Sequence, residues 1–309
     1  MLPTLDRQTR LLVIAPHPDD ETIGAGGLLQ QVREAGGEVR IWLLTDGDNN
    51  PWPQRWLERR IWIGQAARER WGRRRRAEVV QAMSALGLAP EQLEGFSWPD
   101  MGLTGLLRGQ FAAMLTLFEA RLRAWCPNVV VLPDLGDRHP DHGTAHVLTR
   151  LALAREALSP TLLTYLVHGG AAAQQAEVLP SSDAYQAAKR QAMEAHASQL
   201  ALSGTRMRRL IERPETFTCL EAARSGPLLS RQLPWSPPVW LQPGLRLTLA
   251  GSVGVRRWSW RRAPLVRDRE GRWALIAEAT PDTGPYFVKL HMDLPSPWIF
   301  DTWGWHEIS

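Results

Sequence analysis

From Arg10 to about Ser203 the chain alternates short aliphatic runs with longer stretches whose apolar residues recur every three or four positions. This alternation predicts βαβ units around a mostly parallel sheet flanked by helices, and the near-continuous apolar runs predict strands covered on both faces. Residues 10–15 (RLLVIA) read as the first strand, 21–36 as a helix closed by glycines, and 38–46 (EVRIWLLTD) as the second strand. A Pro/Trp/Arg segment follows, to which the pattern assigns no element. Beyond it, Val79, Val80, Met83 and Leu86 mark a helix over 75–88. Residues 95–98 give a weak strand, 110–125 a helix, 128–134 (NVVVLPD) a buried strand and 141–158 a helix. A strand over 161–169 and a helix over 182–202 complete the series, with Ser182 and Asp183 available to cap that helix.

After Pro214 the pattern changes. Residues 216–221 predict a strand, and 225–243 form a Gly/Pro/Ser-rich joint. LRLTLAGSVGVRRWSW, GRWALIAEAT and PYFVKLHMDL then read as short strands parted by turn residues. The chain therefore divides into a main domain over 1–225 and a β-rich unit over 226–309, small enough that it is expected to dock on the main domain for stability. The closing WIFDTWGWHE is expected to cover a sheet edge.

Composition narrows the class. With 309 residues, 44% hydrophobic and 22% charged, the chain can build a sizeable core and is not expected to be disordered. No apolar run reaches the ~18 residues of a membrane span, and the first residues lack a signal-peptide pattern, so a cytoplasmic location is expected. Cys126 and Cys219 are the only cysteines, too few for a disulfide framework or a thiolate zinc site. A bound metal must therefore be held by histidine and carboxylate.

Charge is uneven. Nine arginines lie between Arg55 and Arg76 against Glu58 and Glu69, interleaved with Trp52, Trp56, Trp62 and Trp71. Three readings compete: a solvated basic helix face, a nucleic-acid patch, and an interfacial segment over 49–76 that meets anionic membrane or substrate phosphates. The remainder of the chain is not basic and carries no nucleic-acid module, so no nucleic-acid partner is expected. Eight of the 15 tryptophans follow residue 230. They read as core of the β unit or as a carbohydrate platform, since Trp258 and Trp260 alternate along one predicted strand.

The chemistry concentrates at two strand ends. The first strand runs into PHPDDE (16–21) and the 128–134 strand into GDRHPDHG (136–143). Ligands of open α/β sheets bind outside the carboxyl ends of strands, and imidazole nitrogen with carboxylate oxygen suits zinc. His17 and Asp20 in one turn and His142 at the start of the following helix can supply three ligands, leaving a fourth position for water. Asp19 is then free to act as general base. His139, held protonated by a partner such as Asp141, can stabilise an oxyanion and later give a proton to a leaving amine. Together these groups describe amide hydrolysis.

The same residues resemble the PIG-L/LmbE-like zinc-dependent N-acetylglucosaminyl deacetylases. The resemblance spans residues 10 to about 203 and rests on HPDDE with GAGG (24–27), on HPDH (139–142) and on KRQAMEAHASQ (189–199). It implies a Rossmann-like sheet and one Zn2+ per chain, other divalent metals being admissible. It also implies a hydrolase that removes acetyl from an N-acetylated sugar, here expected on a glycolipid or surface-polysaccharide intermediate reached from the inner membrane face. The family's metal ligands fall on His17, Asp20 and His142, its base on Asp19 and its charged histidine on His139. Its sugar-contacting positions match Arg75, in an R-x-x-E helix with Glu78, and Asp100. One departure is Asp137, where the mycothiol-pathway branch carries a tyrosine, and it argues against that branch. Two alternatives remain at this stage: an inactive sugar- or lipid-binding scaffold, and an amidase of a thiol-sugar conjugate. His146 and His196 are expected to pack near the site rather than to ligate.

Overall fold

The computed structural model describes residues 1–169, 175–220, 231–280, 284–292 and 300–308. The expected boundary at 225/226 and Trp298 lie outside them. The first strand, β1 (Arg10–Ala15), is buried from Leu11 onward, and each aliphatic side chain so covered contributes about 1.5–3 kcal/mol. It leads into α1 (Asp20–Glu34), which ends at Gly36 with φ 80°, and then into β2 (Glu38–Thr45). After α2 (Pro51–Glu58) and α3 (Gln65–Ala85) come β3 (Leu93–Trp98), α4 (Leu103–Gly109), α5 (Phe111–Trp125), β4 (Val129–Pro133), α6 (Pro140–Arg155) and β5 (Thr161–Tyr165). A two-residue β6 (Glu177–Val178), α7 (Asp183–Ala195), α8 (Ala197–Ile211) and β7 (Thr216–Leu220) follow.

These strands form one sheet in the order β3-β2-β1-β4-β5-β7-β6. The five from β3 to β5 are parallel, and β7 runs antiparallel to β5 and β6. The chain moves outward from β1 through β2 to β3, then returns to lay β4 on the other side of β1. That reversal makes the β1/β4 boundary the topological switch point, where open α/β sheets take ligands. Residues 16–21 and 135–142 leave from the carboxyl ends of these two strands.

The elements β8 (Leu245–Gly251), β9 (Gly254–Ser259), β10 (Leu265–Arg267), β11 (Trp273–Leu275), β12 (Tyr286–Met292) and β13 (Trp305–Ile308) build separate antiparallel sheets. One has the order β13-β12-β8-β9 and the other pairs β10 with β11. The expected edge cover is thus a real strand, since β13 closes the larger sheet.

Contacts divide the chain into two compact units. One comprises Met1–Leu103, Cys126–Asp134 and Pro160–Leu220, the other Thr104–Trp125, Leu135–Ser159 and the described part of Glu221–Ser309. The first has a core that includes Leu11, Val13, Leu28, Val79, Met83 and Phe217. In the second, α5 packs on α6 and β9, α6 packs on β13, and Leu247, Leu249, Trp260, Tyr286 and Val288 fill the C-terminal core.

Three departures from the sequence pattern have physical causes. The segment left without an element holds α2 and the first half of α3, Pro51 sitting in a first helical turn, where no amide hydrogen is needed. The inward face of α3 carries Arg75 and Glu78, so apolar periodicity begins only at Val79. The helix expected over 182–202 breaks at His196, whose φ −78° and ψ 50° leave the helical region. Of the two readings of Trp258 and Trp260, the shared platform does not form. β9 stops at Ser259, and Trp260 turns into the core, edge-to-face with Trp273 at 5.5 Å. No described helix is long and apolar enough to cross a membrane.

Candidate active site

The turn after β1 is held by its own side chains. Asp20 Oδ2 accepts the His17 backbone N–H at 2.9 Å and lies 3.2 Å from His17 Nδ1. Two donors that share one tetrahedral ion at about 2.0–2.1 Å would stand roughly 3.3 Å apart, so this pair already has ligand spacing. On the other ring edge, His17 Nε2 is 3.3 Å from Asp100 Oδ1. Asp100 Oδ2 accepts the Asn49 backbone N–H at 2.9 Å. Burial alone would raise the Asp100 carboxyl, but His17, with Arg75 and the Asn49 amide, holds it well below the usual carboxylate range.

Asp19 caps α1 from a strained position, φ 111°, where a residue with a side chain costs about 1–3 kcal/mol. The surroundings fix it there. Glu21 Oε2 accepts its backbone N–H at 3.0 Å, and Arg75 reaches its Oδ2 at 3.3 Å. Burial pushes the Asp19 carboxyl up to about 6, Arg75 pulling the other way and the charges of Asp20 and Glu21 adding to the rise. Arg75 itself is buried and donates to the carbonyls of Pro18 at 2.6 Å and Gly47 at 2.8 Å, tying the turns after β1 and β2 together. Its partner in the R-x-x-E pattern, Glu78, accepts from Ser198 Oγ at 2.6 Å and from the Ser198 N–H at 3.0 Å.

Sequence reasoning missed how the remaining motif residues serve this turn. His196 is fully buried, with Nε2 3.1 Å from Glu21 Oε1; burial would lower it, but the bond and charge of Glu21 raise it overall. The link from HPDDE to AHASQ is thus Glu21 to His196. Lys189 of the same motif donates to the Ile23 carbonyl at 3.1 Å and to Glu215 at 2.5 Å, and Glu215 accepts the Gly27 N–H at 2.6 Å. Gly24 of GAGG is required by packing: a Cβ would lie 2.4 Å from the ring of Tyr165, whose hydroxyl donates to the Ile14 carbonyl at 2.9 Å.

The segment after β4 places its groups around Asp137. Its Oδ1 accepts the His139 N–H at 2.9 Å, and its Oδ2 lies 3.0 Å from His142 Nδ1. A carboxylate on Nδ1 leaves Nε2 as the ligating atom, the arrangement that orients metal-bound imidazoles. His139 is the N-cap of α6: its Nδ1 accepts the Asp141 backbone N–H at 3.3 Å. The rings of His139 and His142 are 5.2 Å apart, centroid to centroid. His146, one turn on, is buried edge-on against Phe287 at 6.0 Å, a packing role.

A curated relative, 1D-myo-inositol 2-acetamido-2-deoxy-alpha-D-glucopyranoside deacetylase of Rhodococcus erythropolis, is 32% identical over 163 residues, 48% of this chain and 54% of its own length. The chain thus matches about half the length of the curated relatives. A conserved protein of Thermus thermophilus is similar in structure with a TM-score of 0.52 and 26% identity, covering 75% of this chain and 100% of its own. The N,N'-diacetylchitobiose deacetylase of Pyrococcus horikoshii shares the fold at a TM-score of 0.52 and 20% identity, over 68% of this chain and 83% of its own. Residues 12–153 are similar to the PIG-L family, described as GlcNAc-PI de-N-acetylase.

Proposed function

We propose that this chain is a metal-dependent amidohydrolase that removes acetyl from an N-acetylated sugar, with residues 1–225 carrying the reaction. His17, Asp20 and His142 hold one divalent ion, Zn2+ in the first instance. The observation that carries the reading is the pairing of each histidine with a carboxylate: Asp20 lies 3.2 Å from His17 Nδ1, the spacing of two ligands of one ion, and Asp137 lies 3.0 Å from His142 Nδ1, which leaves its Nε2 to ligate. An ion held there supplies Lewis acidity, polarising the amide carbonyl and making water easier to deprotonate. Asp19 takes the proton from the attacking water. His139, in the protonated form that gives up its Nδ1 acceptor bond to the Asp141 N–H, stabilises the oxygen on which charge develops and returns a proton to the departing amine, so that amide and water give acetate and amine. Arg75 and Asp100 border the space where the sugar is bound. The test is acetate release from a panel of N-acetylated sugars, with zinc content measured on the same protein. Sugar binding with zinc present and no acetate released would leave the chain a binding protein on a deacetylase scaffold.

The acetyl-sugar is carried on a lipid in this reading, and the cytoplasmic enzyme meets the anionic inner membrane face through residues 49–76. The support is a local patch. Trp52, Trp56, Ile61 and Trp62 are 63%, 66%, 86% and 89% exposed, with exposed Arg59 and Arg60 among them. Trp52 and Trp56 are one turn apart on α2, the spacing of one interfacial face. Asn49, just before this helix, is bonded through its N–H to Asp100, which touches His17. Four other arginines of the cluster are engaged inward or with acids: Arg70 with Glu58, Arg74 with Glu78, Arg75 with Asp19 and Arg76 with Asp46. Co-sedimentation with anionic vesicles, lost in Trp56→Ser/Trp62→Ser and weakened by salt, tests the contact. Binding to neither anionic nor zwitterionic vesicles refutes it.

A further inference from the structure

The C-terminal sheet grips the segment that carries His139 and His142. Lys289 of β12 and Trp305 of β13 face each other across the ladder, so both side chains leave the same face of the sheet. Lys289 pairs with Asp301, whose backbone N–H donates to the Arg138 carbonyl at 2.8 Å. Arg138 lies between Asp137, which braces His142, and His139. Trp305 Nε1 donates to Thr144 Oγ1 at 3.0 Å, and its ring covers Gly143, where a Cβ would meet Trp305 Cδ1 at 3.0 Å. One rung of a distant strand pair therefore holds the segment on both sides of the two histidines. Further along α6, Glu307 takes Arg150 in a bidentate pair at 2.9 and 3.1 Å, fixing the helix against the same strand. Burial works against the charges of both Lys289 and Asp301, and each offsets the cost for the other.

We propose that Lys289 and Trp305 are positioning residues, and that the C-terminal unit serves the reaction by holding Arg138–Thr144 in the conformation that presents His139 and His142. The inference rests on the reading of His142 as a ligand. It gives residues 226–309 a mechanical task inside the second unit and needs no sugar-binding surface.

The test uses the full chain with Trp305→Phe, which keeps a ring over Gly143 but deletes the donor, and Lys289→Met, which leaves Asp301 without its cation. Leu247→Ala is the control, because Leu247 lies in the C-terminal core and makes neither contact. Amide hydrogen exchange is read on metal-free protein, and zinc affinity by competition with a chromophoric chelator, below the melting temperature of every variant. Both positioning variants should raise exchange across 138–144 by about tenfold and weaken zinc by about tenfold, the lower end expected for groups that orient metal ligands. Exchange across 11–15 should not change, and Leu247→Ala should leave 138–144 protected. Unchanged exchange in Trp305→Phe, or equal loosening in Leu247→Ala, overturns the proposal. Should Lys289→Met not fold, Trp305→Phe decides alone. If exchange rises as expected but the unmodified protein binds no zinc, the ligand reading fails while the grip on the segment stands.

Discussion

The two segments that carry the histidines are secured with different shares of local and distant contacts. The turn after β1 has short-range braces, Asp20 to His17 three residues away and Glu21 to the Asp19 amide two residues away, besides the distant Arg75 and His196. The segment after β4 has local braces in Asp137 and in the His139 cap on the Asp141 amide, and is held besides by Asp301 and Trp305, which follow it by more than 150 positions. A local brace travels with its motif, so HPDDE is readable wherever it occurs. A distant brace leaves no trace in the motif it supports, and the tryptophans of the C-terminal unit read from sequence as core, carbohydrate platform or edge cover, none of which points to the segment they hold.

The comparison is broken most directly at the first turn, where binding and chemistry fall on neighbouring carboxylates. Asp20→Asn should strip most of the metal if Asp20 is a ligand as proposed, because it replaces a charged donor with an amide oxygen that still accepts the His17 N–H. Asp19→Asn should retain the metal and lose turnover by about 10² or more, as removal of a general base does. Metal content and acetate release measured on both variants check this. Equal metal loss in the two would mean that the turn collapses as a unit and that the roles are not separable.

Asp137→Asn sharpens the contrast from the other side. An amide in place of the carboxylate can still accept from His139, but it no longer offers His142 a charged acceptor. Metal affinity should fall about 10- to 100-fold with the fold intact. An unchanged affinity would show that Asp301 and Trp305 alone suffice to set His142, and would move the weight of the second segment onto the C-terminal unit.

Legibility in the sequence follows the same division. Strands β1, β2 and β4 are plain because fully buried strands are continuous apolar runs, and the two motifs stand at the ends of β1 and β4. Helix α3 is half hidden, since Arg75 and Glu78 occupy inward positions where periodicity expects apolar residues. The family resemblance makes Arg75 a sugar contact, yet its guanidinium spans the Pro18 and Gly47 carbonyls; an arginine amid exposed arginines gives no sign that it alone is buried. Asp137 stands out in the sequence only as the lack of a tyrosine, although a carboxylate five residues before a ligand histidine is a usable signal. Gly24 tests the legible side: Gly24→Ala should cost about 1–3 kcal/mol of stability by overpacking against Tyr165, measured by chemical denaturation. A neutral result would make GAGG a functional rather than a packing motif.

The smallest expected effect separates the two segments by pH. His306 lies on β13 beside the Trp235 ring at 6.3 Å, and burial pushes its pKa below the usual histidine value against the opposing charge of Glu307. The unfolded chain therefore binds a proton at a pH where the folded chain does not, so this residue's contribution is intact above about pH 6.5 and is lost as the pH falls toward the folded value. Because β13 also carries Trp305, acidification from about pH 7.5 to about 5.5, a span that brackets the ordinary histidine range, should raise amide exchange across 138–144 before it touches 11–15. His306→Gln should flatten that response while leaving exchange at the upper end of the span unchanged. An equal acid response in the variant would place the titrating group elsewhere and free β13 from the pH dependence of the second segment.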